Sequence, residues 1–176
     1  MGSSVMKRLH IIGGKNHGKT TLVVELVREF ARRGDVVGTI KHTHHQHELD
    51  VPGKDSYQHR MAGAAVVAIL SPSMTAVFSP TGLTDRANDD CYLTVAPAFA
   101  GCQLVLVEGD SQTTAPKIEV WRSELGTPPL AACDPSINAV VTDDKLPFRA
   151  EVLPRSDVAG LSKWIISKMF DKPTLG

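Results

Sequence analysis

The chain has 176 residues, with 19 basic and 19 acidic side chains that cancel and 42% hydrophobic residues. That length suffices for one domain with a substantial core. Zero net charge excludes a broad positive field for nucleic acid or an anionic membrane, and no apolar run reaches the roughly 18 residues of a membrane span.

The opening "MGSSVMKR" contains no signal-peptide core. Residues 1–5 read as a leader, with Met6 as the natural start, and residues 172–176 as a tail. Between them, residues 6–171 are expected to form a single domain. The cysteines, Cys91, Cys102 and Cys133, are odd in number, far apart and form no Cys-x-x-Cys. This argues against a disulfide scaffold or a Cys-rich zinc site and for a reducing, cytoplasmic setting.

In chain order, "LHII" (9–12) is a short apolar strand. Residues 19–33 place Leu22, Val23, Leu26, Val27 and Phe30 at helical spacing, and Gly34 stops the helix. "VVGTI" (36–40) is a second strand, which completes a βαβ unit. A histidine-rich loop leads to "GKDSYQHRMAGA" (53–64), predicted helical with Asp55 or Ser56 as its N-cap. "AVVAIL" (65–70) and "TAVFS" (75–79) flank "SPSM" as a hairpin. Residues 88–100 suggest a helix weakened by prolines. "QLVLV" (103–107) is apolar throughout, as in a strand covered on both faces. "KIEVW" (117–121) and "INAVV" (137–141) are further strands, and 157–170 is a closing amphipathic helix. The expected fold is α/β: a mostly parallel sheet flanked by helices, with a β-hairpin suited to dimerisation.

Between the first strand and the first helix lies Gly13-Gly14-Lys15-Asn16-His17-Gly18-Lys19-Thr20, which fits G-x-x-x-x-G-K-[ST]. The expected sheet is thus of the P-loop NTPase type, and residues 6–171 are expected to be a single P-loop nucleotide-binding domain. Glycines let the backbone curl until its N–H groups point inward and leave room for phosphate oxygens. The helix that follows favours an anion at its N-terminus. Lys19 is expected to reach the β- and γ-phosphates, Thr20 to ligate Mg²⁺ and Thr21 to donate to the α-phosphate. His17 is unusual in such a loop; it either donates to a phosphate or faces solvent. The acidic partner for the metal is sought at a strand end. "LVLVEGD" (104–110) offers Glu108 there, acting through water, with Asp110 a weaker choice.

"KHTHHQHELD" (41–50) holds His42, His44, His45 and His47. One reading is a site for Zn, Ni or Cu. The favoured reading is a polar loop where Lys41, the histidines and Arg60 meet an anion. Asp50 is a candidate for a residue that responds to metal and γ-phosphate.

Taken together, "GGKNHGKTTL", "KHTHH", "DVPGKDSYQHRMAGA", "LVLVEG", "PKIEVWR" and "NAVVTDD" resemble the molybdopterin-guanine dinucleotide biosynthesis protein B family over about residues 7–170. The resemblance implies a GTP-binding adapter, using Mg²⁺, that assists the guanylyltransferase attaching GMP to molybdopterin and is a weak GTPase at most. It implies that Gly13 to Thr21 cradle the GTP phosphates and that Glu108 occupies the metal side. His42, His44, His45, Lys54, Asp55, Ser56, Tyr57 and Arg60 would line or order a neighbouring pocket for the pterin or partner. The family commonly carries an aromatic residue and a lysine after "EG"; this chain has Asp110-Ser111-Gln112. The Asn-Lys-x-Asp guanine signature is absent, and Asp143 or Asp144 of "VVTDD" is the candidate substitute. A homodimer paired through the hairpin is expected. Two other functions stay open at this point: a small-molecule kinase, although Arg86 and Arg122 are scattered rather than gathered in a lid, and a GTP-dependent nickel insertion protein.

Overall fold

Burial on both faces of the two longest apolar strands, over residues 8–12 and 104–108, dictates the layering. A computed structural model describes residues 6–45, 48–80 and 90–170. These fall into two compact units, one running to Thr43 and resuming at Tyr92, the other spanning His44–Cys91.

The larger unit is built on six strands: β1 (Arg8–Ile12), β2 (Val37–Lys41), β5 (Leu104–Glu108), β6 (Lys117–Val120), β7 (Ala139–Val141) and β8 (Val152–Leu153). Their order is β2-β5-β1-β6-β7-β8, and every neighbouring pair is parallel. The chain leaves each of these strands on the same edge, where α/β sheets gather their ligand-binding loops. Strand β5 lies between β1 and β2, so the first βαβ unit skips a position.

Helix α1 (Lys19–Arg32) buries Leu22, Val23, Leu26 and Phe30. They join Leu9, Ile11, Leu104 and Leu106 of the sheet and Leu161 and Ile165 of α4 (Val158–Phe170) in one core. Full burial of each such side chain is worth roughly 1.5–3 kcal/mol. The intervening residues face the other way: Val105 and Val107 pack with Tyr92, Ile40, Phe99 and Cys102. Tyr92 belongs to α3 (Asp90–Val95), which passes into a 3-10 turn over Ala96–Phe99. The helix expected over 88–100 is therefore broken where Pro97 enters; residues 88 and 89 lie outside the described residues.

In the smaller unit, α2 (Asp55–Met61) is N-capped by Lys54 without a side-chain bond. This corrects the expected cap: Asp55 is the first helical residue, and the Ser56 hydroxyl donates to Asp50 Oδ1 at 2.9 Å. Strands β3 (Val67–Leu70) and β4 (Thr75–Phe78) form an antiparallel hairpin, closed by Ser71 N–H to the Met74 carbonyl. Leu70, Met74 and Val77 are 78%, 72% and 60% exposed. Among the described residues, no helix is long and apolar enough to cross a membrane.

Candidate functional site

The loop after β1 takes its shape from three glycines, each of which packs where a side chain would collide. Gly13 has φ 139°, and a Cβ there would run into the Val120 carbonyl oxygen of β6. A Cβ on Gly14 would meet the His17 ring at 2.7 Å, and one on Gly18 would meet Arg122 Nη2 at 2.9 Å. Gly18 is the N-cap of α1, in the left-handed region at φ 92°, and no side chain caps that helix. Its first-turn N–H groups thus have no side-chain competitor for an anion.

Four side chains converge on this loop. The Lys19 ammonium folds back to donate to the Gly13 and Gly14 carbonyls at 2.9 and 2.6 Å. Burial lowers its pKa; Glu108 opposes that shift and Lys41 adds to it. The Thr20 hydroxyl donates to Glu108 Oε1 at 2.8 Å, and Lys41 Nζ lies 3.4 Å from the same oxygen. Register explains Lys41: it pairs with Glu108 across β2 and β5. The cleft holds about 450 Å³ and is lined by Lys15, Asn16, Gly18, Lys19, Thr20, Thr21, Lys41 and Glu108. Three lysines against one carboxylate give it a positive lining of the kind that suits an anion. The adjacent hydroxyl and carboxylate are hard oxygen donors of the kind Mg²⁺ takes alongside phosphate oxygens and water.

His17 takes neither of its expected places. It is 1% exposed. Its Nδ1 accepts from the Arg122 N–H at 3.0 Å, so its proton sits on Nε2, 2.9 Å from Thr127 Oγ1. Its pKa is lowered by burial first, then by Lys19 and Arg122. The imidazole thus fastens the loop to the exit of β6. Contact from this residue to a phosphate would have to come from its main chain.

The histidine stretch divides. His42 faces Tyr92, whose hydroxyl lies 2.9 Å from His42 Nδ1 and donates to Asp110 Oδ2 at 2.7 Å. His44 and His45 are exposed, and His47 lies outside the described residues, as does Arg86. Among the described residues, no group of three or more His, Cys, Asp or Glu could hold a metal ion. Asp110 is buried at 7% exposure and adopts φ 60°, rare for a non-glycine residue. Its carboxylate also lies 3.8 Å from His10 Nδ1. Asp110 thus joins His10, His42 and Tyr92 in a buried polar network on the face of the sheet that carries Tyr92.

Within the smaller unit, Asp50 is 7% exposed and accepts from the Ser56 hydroxyl and the Val51 N–H. Its contacts are those of a residue ordering the start of α2. Arg60 pairs with Glu48 and lies over the Tyr57 ring at 5.4 Å. It lines a cavity of about 240 Å³ with Glu48, Leu49, Val77 and Phe78; Lys54 and Asp55 are exposed. At the β7 exit, Asp143 Oδ1 accepts from the Ser156 N–H and hydroxyl. Asp144 Oδ2 accepts from the Ser123 N–H at 2.8 Å. Of the two, Asp144 is tied to the segment that borders the loop.

Comparison with known proteins agrees with this geometry. Residues 8–143 match the family model described as molybdopterin guanine dinucleotide synthesis protein B. The chain is 32% identical over 169 residues to the molybdopterin-guanine dinucleotide biosynthesis adapter protein of Escherichia coli (strain K12), covering 96% of each chain. It is also 32% identical over 157 residues to the protein of that name from Haemophilus influenzae, covering 89% of this chain and 86% of the other. The crystal structure of a MobB protein homolog from Bacillus stearothermophilus superposes with a TM-score of 0.66 at 26% identity, covering 95% of this chain and 100% of that one.

Proposed function

The chain belongs to the molybdopterin guanine dinucleotide synthesis protein B family and is an adapter in that biosynthesis; on this premise we propose that it works with GTP and Mg²⁺ held at the loop 13–21. The observation that carries the reading is the convergence of Lys19, Thr20, Lys41 and Glu108 on one cleft. Gly13, Gly14, Lys15, Asn16, His17 and Gly18 supply main-chain donors, Lys19 the ammonium for the β- and γ-phosphates, and Thr21 a hydroxyl for the α-phosphate. Thr20 and Glu108 hold the metal, which supplies charge neutralisation at the terminal phosphates. Asp144 is the better placed of the two candidate acceptors for the guanine edge.

The partner in this reading is the guanylyltransferase that joins GMP to molybdopterin. Lys54, Asp55, Ser56, Tyr57 and Arg60, with the cavity beside Arg60, are the surface offered to the pterin or that enzyme. The exposed hairpin residues Leu70, Met74 and Val77 favour a homodimer, because a two-stranded ribbon is marginal by itself. Hydrolysis by the adapter is slow, and its occupied state is what the partner reads.

Calorimetry with Mg·GTP tests the site. The wild-type chain is expected to bind, and Lys19→Ala to lose about a hundredfold in affinity or more, roughly 2.8 kcal/mol. Its melting temperature should stay within a few degrees, since the freed Gly13 and Gly14 carbonyls can meet water. Absence of wild-type binding to both GTP and ATP would falsify the nucleotide reading.

A further inference from the structure

We infer that Arg122 is a nucleotide-contacting residue, with its guanidinium stacking on the base at the end of the cleft remote from Glu108. The inference rests on the nucleotide reading above and goes beyond it by assigning a contact to the nucleoside.

The sheet order fixes the direction. Strand β1 lies between β5 and β6, so the loop has Glu108 at one side and the β6 exit at the other. Thr20 and Lys41 meet on Glu108, which makes the β5 side the place for the terminal phosphates. The nucleoside then extends toward β6, where Trp121, Arg122 and Ser123 leave the sheet.

Arg122 is held there by its main chain. Its N–H is bound by the buried His17, and the next N–H, that of Ser123, is bound by Asp144. Its guanidinium lies along Gly18: a Cβ on that glycine would meet Nη2, Cζ and Nε at 2.9, 3.3 and 3.5 Å. The side chain is not committed elsewhere by a strong bond. Its ion pair with Glu124 is 3.5 Å long, with the two side chains 40% and 69% exposed. Such pairs are weak. A planar, weakly hydrated cation beside an anion loop is suited to lie flat on a purine. The phosphates already have Lys15, Lys19 and Lys41, so a fourth cation, on the β6 side of Gly18, is available to another part of the ligand. Asp144, tied to the adjoining residue, puts a carboxylate next to the same place.

The test separates phosphate from nucleoside. Wild type, Arg122→Ala and Arg122→Lys are titrated with Mg·GTP and, separately, with inorganic tripolyphosphate in the same buffer. Arg122→Ala is expected to weaken GTP about tenfold or more and to leave tripolyphosphate within about twofold. Arg122→Lys, which keeps the charge and loses the plane, is expected to stay close to Arg122→Ala for GTP. Equal losses for both ligands, no loss for either, or full recovery with lysine would each overturn the assignment. If the alanine variant does not fold, the lysine variant decides by the same comparison. Wild-type protein that binds neither ligand would refute the nucleotide site itself. Wild-type protein that binds both equally would refute only the nucleoside contact.

Discussion

His10 should make the protein sensitive to mild acid, and its surroundings give the size of the effect. It sits in mid-strand in β1 and is 0% exposed. Nε2 accepts from Arg8 Nε at 3.2 Å, which leaves the ring proton on Nδ1, 3.3 Å from the Gly109 carbonyl. Burial pushes its pKa from 6.5 to about 4; Gly109 and Asp110 oppose the shift, while Arg8 and His42 add to it. The folded state therefore takes up the proton later than the unfolded chain. Stability is fully present above pH 6.5 and falls as pH drops toward 4, by about 2 kcal/mol between pH 7 and pH 5. The assay is urea unfolding at several pH values in that range for wild type and His10→Asn, whose amide can still donate to Gly109. The variant starts less stable and should lack this slope. Glu119, whose pKa burial raises against the Ala131 and Leu130 N–H bonds, contributes the opposite slope above its ordinary value. It contributes equally to both proteins, so the difference between them isolates His10. Parallel pH profiles for the two would refute the reasoning.

Two further outcomes follow from the loop. His17→Ala leaves the Arg122 N–H and the Thr127 hydroxyl without their bonds to the ring, and should destabilise the fold by roughly 1–3 kcal/mol. Chemical denaturation measures it, and a change below about 0.5 kcal/mol would show that the ring fastens nothing. Gly13→Ala should cost at least about 3 kcal/mol, because it adds a clash with Val120 to an unfavourable φ. Gly34→Ala also starts from a positive φ, 84°, nearer the left-handed region and with open space around it, and should cost roughly 1–2 kcal/mol. Equal losses in the pair would mean that neither the close approach to β6 nor the more extreme φ adds to the requirement at Gly13.

Most elements were legible because their signals are local. The 3.6-residue spacing of Leu22, Leu26 and Phe30, the apolar run 103–107 and the glycine loop between strand and helix each carry their own physics. Strand β8, with two residues, has no periodicity to read. The insertion of β5 between β1 and β2 is a long-range pairing that no local pattern encodes, and with it went the place of Lys41 beside Glu108. The burial of His17 is not legible for a related reason: its partners, Arg122 and Thr127, are more than a hundred residues away. A polar residue beside glycines reads as exposed until the strand packed on it is known. His10 carries a visible signal, a titratable residue inside an apolar strand. Asp110 carries one too, as an acid directly after a glycine at a strand end, but its bond to Tyr92 is beyond local inference.

That bond has a consequence for how this chain can vary. His42 and Tyr92 stand just before and just after the stretch His44–Cys91, and they are joined to each other through the tyrosine hydroxyl. The stretch is thus an excursion whose departure and return are stapled at one spot, with Asp110 as the anchor beneath. Loops inserted between ends already held together cost little extra as they lengthen. Substitutions, extensions or wholesale replacement of the excursion can accumulate without disturbing the register of the six-stranded sheet, so that stretch can diversify while the cleft stays constant.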